Sequence, residues 1–257
     1  TAIEISAIGI GAMSFTNFYG ETTETESHQV MQAALDLGVN HIDTANVYGN
    51  GLSENIIGSF LAKQGKQKDQ LFSIATKAGI AIDKDSGRRY FDNSSAYLND
   101  QLDASLKRLG LESVDLFYVH RRDSNTPIED VTETLAGMVK SGKIRGFGFS
   151  EIAPTSLVRA QSVHPVAAVQ SEYSLSVRSP EMGLLQATHN LGVALVAFSP
   201  VGRSLLTDRP HSPEKAQTST WLKTNPRFLS PNIEANIKAT ERFRKLAADY
   251  GMSAAAL

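Results

Sequence analysis

The chain has 257 residues, a formal net charge of −2 at neutral pH and no cysteine. This charge gives no general attraction for nucleic acid or for an anionic membrane. The lack of cysteine excludes disulfides, thiolate metal sites and cysteine nucleophiles. No apolar run approaches the roughly 18 residues of a membrane-spanning helix, and we expect a cytoplasmic protein.

The predicted elements form a repeating unit in which a helix, a glycine and a short apolar strand follow one another. Glycine just past a helix supplies the left-handed residue that ends it, and nearly continuous apolar strands are typical of a sheet covered on both faces. In chain order, strands are predicted at Ile8–Gly11, His41–Asp43, Leu71–Lys77, Val114–His120, Ile144–Ser150, Ala168–Tyr173 and Val193–Ser199. Helical spacing predicts three apolar stripes: Leu98, Leu102, Leu106 and Leu109; Val131, Leu135, Met138 and Val139; and Ile233, Ile237, Leu246 and Tyr250.

Seven strands that alternate with helices predict one α/β domain over residues 1–257 with a parallel sheet. Both the open doubly wound sheet and the closed (β/α)8 TIM barrel have this pattern. An open dinucleotide-binding sheet should carry G-x-G-x-x-G after its first strand, but Ser14 stands at the third glycine position and Phe15–Glu24 is predicted to be a loop. Polar residues end several strands, as they do at the upper face of a barrel, so we favour the barrel.

A closed barrel needs an eighth strand, which the sequence lacks. Seven strands would leave two unpaired parallel edges, and such edges are costly and prone to aggregation. We therefore predict that the last strand and the C-terminal segment of the barrel are missing from this chain.

Four polar side chains stand at or just beyond the ends of predicted strands: Asp43, Tyr48, Lys77 and His120. An ammonium beside a phenol stabilises the phenolate and so makes the phenol a better proton donor, and a carboxylate can hold that ammonium. An imidazole can orient a substrate carbonyl. The four groups can protonate a carbonyl oxygen but supply no electrons, so the set indicates a hydride-carrying cofactor.

Several motifs, in this order, resemble those of the aldo-keto reductase family. They are Asp43-Thr44-Ala45-x-x-Tyr48-Gly49 followed by Ser53-Glu54, Ala75-Thr76-Lys77, Asp115–Arg121, Lys143–Ser150, Gln170–Ser174 and Ala197–Gly202. The resemblance covers nearly the whole chain and implies an NAD(P)H-dependent enzyme that reduces an aldehyde or ketone to the alcohol. It implies Tyr48 as the proton donor, Lys77 as the cation that activates it, Asp43 as the anchor of Lys77, and His120 as the group that orients the carbonyl.

The resemblance also implies a cofactor site, with NADPH expected and NADH left open. It assigns Ser150, Glu151 and Gln170 to the nicotinamide carboxamide, although an ionised glutamate can only accept hydrogen bonds where many relatives have asparagine. Phe198 is predicted to stack on the nicotinamide ring, with Tyr173 as the rival. The backbone of Ser199, Pro200, Val201, Gly202, Arg203 and Ser204 is predicted to hold the pyrophosphate. Asp43 also belongs to the predicted cofactor-binding set, and Gly11, Ala12 and Met13 are predicted to border the ribose.

Two other functions stay open at this point. A cofactor-binding regulatory subunit on the same fold would bind the cofactor with little turnover. An unrelated barrel enzyme, such as a metal-dependent hydrolase or a phosphosugar isomerase, is the second; metal chemistry would need clustered ligands at strand ends, and only His41 and His120 lie in predicted strands, so no metal site is predicted. We expect a small-molecule carbonyl substrate, no nucleic-acid or membrane partner, and a monomer, with a homo-oligomer left open.

Overall fold

The computed structural model describes residues 4–65, 68–83, 85–219 and 221–257. The chain divides into two compact units. The first unit runs up to Asn17 and continues over Glu21–Ser171 and Gly183–Val196, and the second comprises Phe18–Gly20, Glu172–Met182 and Ala197–Leu257. The single domain over residues 1–257 stays a prediction.

A parallel sheet of seven strands organises the first unit. In chain order the strands are β1 Ile10–Gly11, β2 His41–Asp43, β3 Ser73–Ala78, β4 Ile80–Ile82, β5 Arg89–Phe91, β6 Val114–Val119, β7 Ile144–Ser150, β8 Ala168–Glu172 and β9 Ala194–Phe198. β4 and β5 form a separate hairpin, and the other strands belong to the large sheet. The spatial order of the large sheet is β1-β2-β3-β6-β7-β8-β9, so its strands lie side by side in the order in which they follow along the chain. All seven predicted strands are present. This order confirms the predicted (β/α)8 barrel, of which the described residues contain seven strands.

The sequence did not predict the hairpin formed by β4 and β5. These two strands pair antiparallel, with Ile80 opposite Phe91 and Ile82 opposite Arg89. Each strand has three residues, and all of β5 is exposed. A strand of three residues is too short to show a clear apolar alternation in the sequence. The hairpin follows β3 directly, at the end of the sheet where Lys77 lies.

The helices are α1 Glu24–Asp36, α2 Leu52–Lys63, α3 Lys68–Leu71, α4 Ser95–Leu109, α5 Ile128–Lys140, α6 Pro154–Val163, α7 Leu184–Leu191, α8 Pro213–Thr218, α9 Asn232–Ala239 and α10 Glu241–Asp249. Capping residues explain where several of these helices begin or end. Thr23 and Glu26 form a reciprocal capping box at the start of α1, and Gly110 ends α4 in the left-handed conformation with φ 68°. In the part of the chain that the structure covers, no helix has the length and apolar character needed to span a bilayer.

Two of the three predicted apolar stripes are confirmed and the third is wrong. The leucines of the α4 stripe are buried, and the α5 stripe packs into the same core. The third stripe is divided between α9 and α10, and only Ile233 is buried, whereas Leu246 and Tyr250 are 47% and 68% exposed. The apolar spacing continued across a break at Thr240, which periodicity alone does not detect. The predicted loop Phe15–Glu24 differs only at its two ends, because Ala12–Thr16 forms a 3₁₀ helix and α1 begins at Glu24.

The two faces of the large sheet carry side chains of different size. Bulky residues such as Phe117 and Phe147 pack into the main apolar core. On the other face, Tyr118 is fully buried beside Ala75 and Ala168. Gly148 leaves the room for its ring, because a Cβ on Gly148 would lie 2.7 Å from the Tyr118 Cε1 atom. Burial raises the pKa of the Tyr118 phenol far above its usual value.

We predict that Gly148→Ala destabilises the protein by about 1–3 kcal/mol, because the added methyl group overpacks the contact with Tyr118 and the Ala168 carbonyl. Urea unfolding measures the change in the free energy of unfolding. Gly137→Ala on α5 is the matched control. No heavy atom would lie within 4 Å of its added Cβ, so it should be stabilising by about 0.5–1 kcal/mol. Equal stability of Gly148→Ala and the wild type would contradict this packing argument.

Candidate active site

The centre of the site is the ammonium of Lys77, which is completely buried. Lys77 lies in β3, and its Nζ donates to the Asp43 carboxylate and, over 2.8 Å, to the Thr44 carbonyl. A third bond of 3.4 Å reaches the Tyr48 hydroxyl. These three acceptors match the three N–H donors of an ammonium. They come from the end of β2, which pairs in parallel with β3, and from the turn that follows it.

The charge state of Lys77 follows from these contacts. Burial alone would disfavour the ammonium. The negative charge of Asp43 and the Tyr48 oxygen outweigh that effect, so the pKa of Lys77 is raised above its ordinary value of 10.5. Lys77 is therefore a cation at neutral pH, held within reach of a phenol.

His120 faces Tyr48 across this centre. It directly follows β6, and its backbone N–H donates to the Ala78 carbonyl over 2.7 Å. The rings of Tyr48 and His120 meet edge to face, with centroids 5.8 Å apart. Burial and the cations of Lys77 and Arg121 hold the pKa of His120 well below its usual 6.5, so the imidazole is neutral. Its Nδ1 is buried and has no hydrogen-bond partner among the described residues.

The opposite face of β3 is held by a second buried charge, which was named from the sequence only as part of a family motif. Glu54 of α2 is fully buried. It accepts a hydrogen bond of 2.5 Å from Thr76 Oγ1 and one of 2.6 Å from Arg108 Nε of α4. Thr76 precedes Lys77, and neighbouring residues of a strand point to opposite faces. The Glu54 contacts therefore tie the strand that carries Lys77 to two helices.

Ser150 and Gln170 lie side by side, because they are directly paired in the register of β7 and β8. We call these two residues the amide pair. Gln170 Nε2 donates to Asp43 Oδ2 over 2.8 Å, and since a carboxylate only accepts, the Gln170 carbonyl oxygen faces away from Asp43. Ser150 Oγ accepts from Arg121 Nη1 over 3.0 Å. A guanidinium only donates, so the Ser150 hydroxyl hydrogen is left for another acceptor.

The amide pair thus presents one donor and one acceptor next to each other. Ser150 and Gln170 are both nearly inaccessible to solvent. Within the described residues, neither the Ser150 hydroxyl hydrogen nor the Gln170 carbonyl oxygen has a partner. A primary carboxamide, whose carbonyl accepts and whose NH₂ donates, has the complementary arrangement. The residues present therefore fit the nicotinamide group that the sequence analysis assigned to them.

The other predicted cofactor residues of the first unit have structural contacts of their own. Gly11 ends β1, and the buried Ala12 accepts a 2.9 Å hydrogen bond from Ser53 Oγ. Met13 is half-buried in the 3₁₀ helix that follows. The Glu151 carboxylate accepts a bond of 3.1 Å from Ser171 Oγ, on the side of β8 opposite to Gln170.

The remaining predicted cofactor residues belong to the second unit: Phe198, Ser199, Pro200, Val201, Gly202, Arg203 and Ser204. Gly202, Arg203 and Ser204 have φ values of 60°, 53° and 89°, so three successive residues are left-handed. The Arg203 side chain donates to the Tyr19 hydroxyl over 2.7 Å and lies 4.3 Å from the ring centre of Trp221. Tyr173, the rival aromatic, donates its backbone N–H to the Phe198 carbonyl.

In the described part of the chain, no group of three or more histidine, aspartate or glutamate residues is arranged to hold a metal ion. His41, one of the two histidines in predicted strands, is buried with its Nδ1 3.0 Å from the Ser73 carbonyl.

A comparison with protein families decides the classification. The model of the Aldo/keto reductase family matches residues 7–257. The chain belongs to this family. The predicted family and the prediction of an enzyme are both confirmed, since the members are oxidoreductases. Which of its residues act in the reaction stays a prediction.

Individual relatives agree with this assignment. The chain is 35% identical over 246 residues to aldo-keto reductase yakc of Schizosaccharomyces pombe, whose name specifies NADP(+). It is 36% identical over 251 residues to aldo-keto reductase str7 of Strobilurus tenacellus. These matches cover 95% and 94% of this chain and 72% of each relative.

Solved structures show the same fold. The glycerol dehydrogenase AKR11B4 from Gluconobacter oxydans superimposes with a TM-score of 0.82 at 29% identity, over 97% of this chain and 76% of that one. The aldo-keto reductase AKR11C1 from Bacillus halodurans, in its holo form, gives 0.72 at 26% identity, over 93% and 88%.

The neutral His120 predicts a pH dependence of stability. Its pKa in the folded protein is lowered, so below about pH 6.5 the unfolded chain binds a proton that the folded protein does not. The free energy of unfolding should therefore fall with pH below 6.5, by up to about 1.4 kcal/mol per pH unit from this residue. His120→Gln lacks this contribution, so its profile should be flatter than that of the wild type when both are unfolded in urea from pH 8 to pH 5. Parallel profiles would contradict a neutral, buried His120.

Proposed function

We propose that the protein reduces an aldehyde or ketone to the alcohol, with NADPH as the hydride donor and Tyr48 as the proton donor. The observation that carries this proposal is the Tyr48 hydroxyl 3.4 Å from the buried Lys77 ammonium, which the Asp43 carboxylate holds in place. A phenol next to a fixed cation can release its proton, because the cation stabilises the phenolate that remains.

Each of the four residues has a part in the proton transfer. Bound NADPH would supply a hydride to the carbonyl carbon. The Tyr48 hydroxyl gives its proton to the carbonyl oxygen, and Lys77 stabilises the resulting phenolate until solvent reprotonates it. The neutral His120 donates a ring N–H to the same carbonyl oxygen and orients it. Asp43 keeps Lys77 charged and in position.

The amide pair is proposed to hold the nicotinamide carboxamide. The Ser150 hydroxyl donates to the carboxamide oxygen, and the Gln170 carbonyl accepts from the carboxamide NH₂. Asp43 contributes to this site through its hydrogen bond to Gln170. The NADP(+) in the name of the yakc relative supports NADPH as the cofactor. The cofactor roles of Gly11, Ala12, Met13, Glu151 and the segment Phe198–Ser204 stay as the sequence predicted them.

The substrate is proposed to be a small-molecule carbonyl compound. The structural neighbour from Gluconobacter oxydans is a glycerol dehydrogenase, which supports interconversion of an alcohol and a carbonyl compound. A panel of small aldehydes with NADPH, followed by the loss of NADPH absorbance, tests the activity itself.

We predict that Tyr48→Phe lowers kcat by about 10²–10⁴ and leaves the Kd for NADPH within about twofold, because the variant loses only the transferable proton. Steady-state kinetics and NADPH titration measure the two effects. Tyr118→Phe is the matched control, since Tyr118 is a buried phenol of the same sheet whose hydroxyl has no partner among the described residues. It should keep wild-type turnover.

Two results would count against the proposal. Full activity in Tyr48→Phe would remove Tyr48 as the proton donor. A wild-type protein that binds NADPH but reduces no aldehyde of the panel would favour the cofactor-binding regulatory subunit.

A further inference from the structure

Arg121 directly follows His120, and from the sequence it was named only as the last residue of the motif Asp115–Arg121. Its Nη1 donates to the His120 carbonyl over 2.6 Å and to Ser150 Oγ over 3.0 Å. The side chain is half-buried. Within the described residues it forms no ion pair with a carboxylate. Both hydrogens of this nitrogen are thus used, one on a backbone carbonyl and one on a serine hydroxyl. The two bonds fix the orientation of the partly buried guanidinium.

We propose that Arg121 is a positioning residue that fixes the Ser150 hydroxyl as a hydrogen-bond donor toward the nicotinamide carboxamide. This inference rests on the proposed function, because it concerns the cofactor contact of Ser150. It assigns Arg121 no contact with the substrate or with the reacting atoms.

The physical reason lies in the ambiguity of a hydroxyl group. A serine can donate or accept, and its hydrogen rotates to suit its surroundings. The guanidinium cannot accept, so its bond to Ser150 Oγ occupies an oxygen lone pair and turns the hydroxyl hydrogen away from Arg121. Without Arg121, the hydroxyl is free to present a lone pair to the carboxamide oxygen, which is repulsive.

The same device operates on the other half of the amide pair. There Asp43, which only accepts, takes an N–H of Gln170 and leaves the Gln170 carbonyl oxygen as the free group. A cation thus makes Ser150 a donor, and an anion makes Gln170 an acceptor. The amide pair can then bind a carboxamide in one orientation only.

Arg121 is itself held by a buried side chain that the sequence analysis did not single out. Asn93 is 1% exposed. Its Nδ2 donates to the Arg121 carbonyl over 3.0 Å, and its Oδ1 accepts from the Asp123 backbone N–H over 2.7 Å. These two bonds clamp the backbone on both sides of Arg122. The backbone from which the Arg121 side chain extends is therefore fixed before the cofactor binds.

A double-mutant cycle tests whether Arg121 acts through Ser150. The Kd for NADPH is measured for the wild type, Arg121→Met, Ser150→Ala and the double variant, together with kcat/KM for an uncharged aldehyde. Each single variant should weaken NADPH binding about tenfold, as expected for the loss of one hydrogen bond. The double variant should be no weaker than Ser150→Ala, because Arg121 has no effect once the hydroxyl is gone. Multiplying effects, near a hundredfold, would overturn the proposal.

Cofactor analogues distinguish a positioning role of Arg121 from a merely structural one, because a structural role would affect the binding of all analogues equally. In thionicotinamide the carbonyl oxygen is replaced by sulfur, a weaker acceptor, whereas 3-acetylpyridine keeps the oxygen and lacks the NH₂ group. The loss of cofactor affinity caused by Arg121→Met should be smaller for the thionicotinamide analogue of NADPH. It should be unchanged for the acetylpyridine analogue. The same penalty with all three cofactors would overturn the proposal.

Two further variants complete the design. Arg121→Lys keeps a group that only donates, so it should recover part of the affinity, and it takes the place of Arg121→Met in the cycle if that variant does not fold. Arg89→Met removes a cation from the exposed strand β5, and it should leave the discrimination between the analogues unchanged. If the wild type binds no NADPH, both this proposal and the proposed function are wrong. If NADPH binds and the losses of affinity in Arg121→Met and Ser150→Ala multiply in the double variant, only this proposal is wrong.

Discussion

The buried ammonium of Lys77 is the constraint on which the rest of the site depends. Removing an isolated ion from water costs several kcal/mol even after the protein relaxes, so a lysine with no exposed surface needs an acceptor for each of its donors. The structure provides the Asp43 carboxylate, the Thr44 carbonyl and the Tyr48 hydroxyl. The pairing of β2 with β3 and the turn that carries Tyr48 are therefore required by the charge as much as by the fold.

Asp43 connects the proton-transfer group with the amide pair. One of its carboxylate oxygens binds Lys77 and the other accepts from Gln170. Because a carboxylate cannot donate, the Gln170 amide is held in a single orientation, and the Lys77 ammonium keeps a charged acceptor. One partly exposed acid thereby sets the position of the cation next to Tyr48 and the direction of the amide at the end of β8.

Strand β3 is restrained on both faces by buried charge. Lys77 points toward Asp43, and the preceding Thr76 points toward Glu54, which is paired with Arg108. Losing one partner of a buried ion pair generally costs about 3–5 kcal/mol, so both sets of contacts resist a shift of the strand. Small residues around Tyr118 do the same by packing, since the ring fits only where Ala75, Gly148 and Ala168 leave space.

The order of motifs and the apolar periodicity were sufficient to predict seven strands, the incomplete barrel and the family, because these signals are local and repeat along the chain. The sequence also predicted Asp43, Tyr48, Lys77 and His120 as a set, and these four meet at one end of the sheet. The β4–β5 hairpin, the break between α9 and α10, and the contacts of Glu54, Asn93 and Arg121 came only from the tertiary structure. They depend on which atoms of distant residues face each other, and whether Ser150 donates or accepts is decided by a guanidinium 29 positions earlier.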